Sequence, residues 1–168
     1  MKEITYYLED SLNLGNILVA LNEKDNIVFI SLDNSKEDNI YNLKSEYPKV
    51  HLTEGIINDH IREIFSYVKN PTTNKKFNVE LHGSDLQKSV WKAIMTIPSG
   101  TTLTYTELAE RINKPDSVRA VATACGKNNI AVIIPCHRVV SKNGKDTGYR
   151  WNVLRKKKLL EIEKERLY

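Results

Sequence analysis

Three short stretches near the N-terminus, ITYYL (4–8), NILVAL (16–21) and NIVFISL (26–32), are rich in β-branched and aromatic residues. The turn-prone segments SLNLG and NEKDN separate them, and the pattern predicts a meander of antiparallel strands. The period then changes. Ile57, Ile61, Ile64, Phe65 and Val68 recur at helical spacing within GIINDHIREIFSYVKN and predict an amphipathic helix. PTTNKKFNVELH (71–82) predicts a turn followed by one more short strand.

From residue 83 the pattern is mainly helical. Ser84 and Gln87 have capping-box spacing ahead of a face carrying Val90, Trp91, Ile94 and Met95, and Pro98 and Gly100 stop that helix. Thr104 and Glu107 open a second helix, which Asn113-Lys114-Pro115 breaks; Asp116 or Ser117 caps a third that ends at Gly126. Two short helices across a tight turn fit a helix-turn-helix or a purely structural helical hairpin. In the third helix Val118, Val121, Ala122 and Cys125 form the inward stripe, which leaves Arg119, Ala120, Thr123 and Lys127 outside. That outer face is small and basic, suited to close approach in a narrow groove rather than to base-edge readout in a wide one. Arg119 is its one long side chain, able to fill a gap.

Charge sharpens the division at His82. Residues 1–82 hold 9 Lys and Arg against 13 Asp and Glu, whereas residues 83–168 hold 16 against 8. The basic half suits a polyanion, or forms a solvated lysine-rich surface. The fold expected is α+β: a small α/β domain over 1–82 and a helix-turn-helix, winged-helix-like domain over 83–168. The acidic N-terminus (MKEITYYLED) lacks the apolar core of a signal peptide, and no apolar run approaches the ~18 residues of a membrane span. Two cysteines and four histidines lack zinc-site spacing, so neither metal nor cofactor is expected, and a reduced, cytoplasmic, monomeric protein without membrane attachment is.

Candidate chemistry lies in IIPCHRVV (133–140). Pro135 cannot donate to a strand ladder and ends an apolar run just before Cys136, leaving the thiol at the rim of a core. Free cysteine is often simply buried, and consecutive strand side chains point to opposite faces. If the chain turns after Pro135, however, His137 comes within reach of the thiol. At about 100° per residue, Glu163 falls inside the apolar arc of Leu159, Leu160 and Ile162 in the C-terminal helix (153–168), whereas Glu161 and Glu165 point away. An inward carboxylate requires a partner, and His137 is the one assigned. Cys125, on an inward stripe, reads as core.

In this order and spacing, IPSG (97–100), TYTELA (104–109), VRAVATACGKNNIAVIIPCHRVV (118–140) and GYRW (148–151) resemble the O6-alkylguanine-DNA alkyltransferase, or methylated-DNA–protein-cysteine methyltransferase, family. The resemblance covers roughly residues 85–163, with 1–82 as counterpart of that family's ribonuclease-H-like domain. It implies irreversible transfer of an alkyl group from O6-alkylguanine or O4-alkylthymine in double-stranded DNA to Cys136, one turnover per molecule. His137 would remove the thiol proton through water, Glu163 would orient His137, and Asn128 would hold the turn beneath the site. Arg119 would fill the gap left by the flipped nucleotide, with Ala120, Thr123 and Lys127 beside it against the minor groove. Tyr105 would rotate the phosphate and contact the base. Tyr149, Arg150, Trp151 and Val139 would line the substrate pocket. The sequence departs from the family at Leu86, where Phe is usual, at Lys164, where Gly often follows the carboxylate, and at Arg150-Trp151, which resembles a bacterial subset. A lesion sensor that binds without transfer would lack the acceptor thiol, and a Cys-His hydrolase would leave the basic helix-turn-helix without a purpose.

Overall fold

The three N-terminal apolar stretches form β1 (Glu3–Ser11), β2 (Gly15–Leu21) and β3 (Ile27–Asp33), paired antiparallel as expected, in a computed structural model that describes residues 1–73, 75–144 and 148–165. The first hairpin turns on Gly15, at φ +76°, where a Cβ would meet the Asp33 carbonyl oxygen at 2.6 Å. β2 and β3 are buried on both faces, hence their unbroken apolar runs. The chain continues through α1 (Lys36–Glu46), β4 (His51–Glu54) and α2 (Asp59–Lys69), giving the sheet order β3-β2-β1-β4. β4 lies parallel to β1, so the sheet is not a simple meander.

α1 and β4 are not foreseen by the pattern, for a physical reason. Only Asn39 and Leu43 of α1 are fully buried, and Asn39 seals the helix to the sheet by hydrogen bonds rather than apolar contact. Its amide donates to the Asn16 carbonyl and side-chain oxygens, both at 2.8 Å, and its oxygen accepts from the Ser31 hydroxyl at 2.6 Å. Four residues are too few for β4 to show an alternation. The strand expected in FNVELH is reduced to one bridge, Val79 beside Ile27.

The second half comprises α3 (Asp85–Ile94), β5 (Leu103–Thr104), α4 (Tyr105–Arg111), α5 (Val118–Gly126), β6 (Val139–Val140) and α6 (Val153–Glu165). Both capping boxes form, at Ser84/Gln87 and Thr104/Glu107. Three local expectations are corrected. α3 ends at Ile94, so Met95 leaves the apolar face and is exposed, while Ile97 is buried. A 3-10 turn at Pro115–Ser117 leads into α5 and replaces a side-chain cap from Asp116 or Ser117. The buried face of α5 holds Val121, Ala124 and Cys125, with Val118 and Ala122 at its margin. Asn74 of the predicted turn and residues 166–168 of the predicted final helix lie outside the described residues.

β3 joins the two halves. As the edge of its sheet it presents unpaired backbone groups, which two later segments cover. Ile27 N–H donates to the Asn78 carbonyl and Glu80 N–H to the Ile27 carbonyl, each at 2.9 Å; Ile30 N–H donates to Asn129 at 3.1 Å and Ala131 N–H to Ile30 at 3.0 Å. Ile30 and Phe29 on one side and Ile130, Ile134 and Trp91 on the other belong to a single buried cluster. Unfolding in urea is therefore expected to be one transition. Far-UV circular dichroism and the fluorescence of Trp91 and Trp151, both in the second half, should give coincident midpoints; separated midpoints would show the halves melting independently.

Candidate active site

Two tight turns carry the chain from α5 to the thiol. Val132, at φ +71°, forms the first, with Ile133 N–H donating to the Ala131 carbonyl at 2.8 Å. A β-branched residue rarely adopts this left-handed conformation, so the turn holds local strain. Pro135 forms the second, with Cys136 N–H donating to Ile134 at 2.7 Å. Asn128 braces both: its amide donates to the Ile134 carbonyl and its oxygen accepts from Ile130 N–H, each at 2.8 Å. The apolar run ahead of the proline, expected as a buried strand, forms only isolated bridges and these two turns, and Cys136–Arg138 form a 3-10 turn.

That turn brings His137 and Arg138 together on Glu163. His137 Nε2 lies 2.6 Å from Glu163 Oε2, with both side chains fully buried. Arg138 grips the same carboxylate in a two-point fork, Nε to Oε1 at 2.8 Å and Nη2 to Oε2 at 3.0 Å, and donates to the Ile97 carbonyl at 2.7 Å. Gly100 N–H adds a longer bond to Glu163 at 3.4 Å. The IPSG segment that follows α3 is therefore part of the site. Arg138, Lys156, Ile97 and Gly100 are contributors that sequence reasoning leaves unassigned. The signal for Arg138 was present: a guanidinium inside a buried apolar run requires a carboxylate.

Electrostatics assign the resting protonation states. Burial would raise the Glu163 carboxyl, but hydrogen bonds and charge from His137 and Arg138 outweigh it and hold the group below its ordinary value. Burial also lowers the His137 imidazole, against the opposing pull of Glu163. The ring is therefore neutral near pH 7, donating from Nε2 to the carboxylate, so that Nδ1 carries the free lone pair. His137 Nδ1 is buried with no protein partner among the described residues. Burial raises the Cys136 thiol well above its usual range, and the Cys125 side chain adds to the effect, while Asn128 and the buried Lys156 charge oppose it. The sulfur rests as a thiol.

The remaining predicted residues divide. Cys125, Asn128, Cys136, Tyr149, Arg150 and Trp151 line one small cavity, so Cys125 is both core and wall. Trp151 is buried against Phe29 of β3, ring centroids 6.1 Å apart, rather than standing at an exposed rim. Val139 lies outside this cavity: its side chain is in the core and its carbonyl accepts from Lys156 Nζ at 2.7 Å. Tyr105, half-buried at the start of α4, does not line the cavity either. Arg119, Ala120, Thr123 and Lys127 are all exposed along α5.

A thiol, a neutral imidazole and a buried carboxylate behind an exposed basic helix are the equipment of cysteine chemistry beside a surface suited to a polyanion. Residues 85–165 match the family model for the 6-O-methylguanine DNA methyltransferase DNA-binding domain. The methylated-DNA–protein-cysteine methyltransferase of Saccharomyces cerevisiae is 34% identical over 98% of this chain and 96% of its own length. The Escherichia coli bifunctional transcriptional activator/DNA repair enzyme Ada is 39% identical over 96% of this chain, which spans 46% of that longer protein. A crystal structure of Mycobacterium tuberculosis OGT in complex with DNA superposes with TM-score 0.79 at 32% identity, over 96% of this chain and 94% of that one. The chain belongs to the methylated-DNA–protein-cysteine methyltransferase family.

Glu163→Gln should cost roughly 3–5 kcal/mol of stability, because it leaves the Arg138 charge buried without its counter-charge. In the wild type, an imidazole held neutral by burial makes stability fall as pH drops below about 6.5, where the unfolded chain takes up a proton that the folded chain refuses. Urea titrations at several pH values check both.

Proposed function

We propose that this protein repairs alkylated DNA by direct reversal, moving the alkyl group of O6-alkylguanine, and of O4-alkylthymine, irreversibly onto Cys136. The observation that carries this reading is the buried sequence of Cys136, His137 and Glu163, closed by Arg138 and set directly behind α5 by the Asn128 turn. His137 Nδ1 takes the thiol proton through water, Glu163 stabilises the imidazolium that results, and the sulfur attacks the alkyl carbon. The carbon–oxygen bond breaks, the departing base takes a proton from the Tyr105 hydroxyl, the proton held by His137 makes good that loss through water, and a thioether with no good leaving group remains. One molecule repairs one lesion.

O6 of guanine is inside the base stack, out of reach of a buried sulfur, so the nucleotide must be extruded. The exposed Ala120 and Thr123 permit α5 to lie close in the minor groove, and Arg119 fills the space vacated by the base. Tyr105 acts on the phosphate and the base from the start of α4. The order β3-β2-β1-β4, with β4 parallel to β1 after α1, supports a ribonuclease-H-like reading of residues 1–82. Residues 83–168 are read as the winged-helix-like DNA-binding and transfer domain, acting as a cytoplasmic monomer. A lesion sensor is disfavoured by the presence and placement of Cys136.

Incubation with a duplex carrying O6-methylguanine should make the protein heavier by one methyl group, mapped to Cys136 by peptide mass spectrometry. Cys136→Ala should bind the duplex and gain nothing, while a label on Cys125 would refute the assignment. Duplex binding should weaken steeply with salt and show little sequence preference. Arg119→Ala should slow transfer from duplex DNA by an order of magnitude or more, roughly the cost of an unaided few-kcal/mol unstacking, and leave transfer from a free alkylated base unchanged. Equal losses on both substrates would remove Arg119 from the flipping step.

A further inference from the structure

The cavity beside Cys136 measures about 10 Å³, room for one water at most and far below the ~300 Å³ of pockets that accept a small molecule. A base cannot enter it as it stands. Two of its walls, α5 and the Asn128 turn, are fixed by the core, so the wall able to yield is the segment 148–151. We propose that Arg150 is a positioning residue that latches this segment shut over the thiol, and that releasing the latch admits the base. The inference rests on the reading above.

Arg150 reaches three parts of the molecule at once. Its Nη1 donates to the Asn128 carbonyl at 2.9 Å and, at 3.4 Å, to the Lys127 carbonyl at the C-terminal end of α5, the negative end of the helix dipole. Its Nη2 lies 3.5 Å from Glu46 Oε2 at the end of α1. The guanidinium stacks 4.5 Å above the Trp151 ring and 5.9 Å from that of Phe29. Glu46 is held in turn by the Asn129 amide at 3.3 Å.

The closed segment opposes this grip. Tyr149 Oη and Trp151 Nε1 are buried without a hydrogen-bond partner among the described residues. Each such group destabilises the closed form, and each would recover a partner in water on opening. The packing of Trp151 on Phe29 and the contacts of Arg150 together offset that penalty, and the partly exposed, charged side chain tips the balance between closed and open.

Two variants and two measurements test the latch. Arg150→Ala should speed alkylation of Cys136 by free O6-benzylguanine by at least about fivefold, the scale of one charge-assisted hydrogen bond. Transfer from an O6-methylguanine duplex should gain less, because the duplex supplies binding energy of its own. Acrylamide should quench tryptophan fluorescence more strongly in the variant, reporting Trp151, since Trp91 is 1% exposed in the core. Glu46→Gln, outside the site, should shift both readouts the same way by a smaller factor. Unchanged quenching, or slower reaction with both substrates, would overturn the latch and make Arg150 a plain wall of the pocket. If the wild type fails to take the methyl group from the duplex, the transfer reading falls instead, and quenching still decides the latch by itself.

Discussion

A single buried carboxylate organises the second half of this protein. Glu163 sits among apolar residues of α6, where an ionised group is stable only if its charge and its hydrogen-bonding capacity are answered in full. Arg138 supplies the counter-charge, His137 a further donor and Gly100 a backbone amide. These three come from two separate loops, so the requirement of one acid fixes the turn after the thiol, the end of α3 and the seating of α6 together. The same carboxylate sets the tautomer of the imidazole, which decides which nitrogen can receive a proton.

β3 is the mechanical counterpart of that electrostatic centre. Its free edge takes up the segment that leads into the strained Val132 turn, and its Phe29 packs against Trp151, which lines the cavity beside Cys136. The N-terminal half carries none of the groups assigned to the chemistry. It nevertheless borders the site from two directions, through backbone pairing and through an aromatic contact. Strain at Val132 persists because both ends of the turn are held, by Asn128 on one side and by the sheet edge on the other.

The sequence reveals most where a residue contradicts its surroundings. A proline ending an apolar run marked the turn at Cys136, and an acid inside an apolar arc marked Glu163; both readings needed only local rules. Arg138 obeys the same logic, as a guanidinium inside a buried apolar run. α1 was illegible because its inward face carries the polar Asn39 beside a lone Leu43, and the hydrogen bonds of Asn39 to Asn16 and Ser31 leave no mark in a hydrophobic pattern. The packing of Trp151 could not be read locally, because its companion Phe29 lies more than a hundred residues earlier in the chain. Val139, a pocket residue by family resemblance, follows the 3-10 turn of Cys136–Arg138 and has its side chain in the core.

The elevated thiol has a consequence for how long a molecule remains useful. A sulfur that can be spent once is wasted by any stray electrophile, and small oxidants and alkylating agents react with thiolates far faster than with thiols. Burial keeps Cys136 protonated and places it behind a wall too close for anything larger than water. Under the proposed function the protein is thus stored in an unreactive form, and its working lifetime is set by encounters with damaged DNA rather than by the background chemistry of its surroundings.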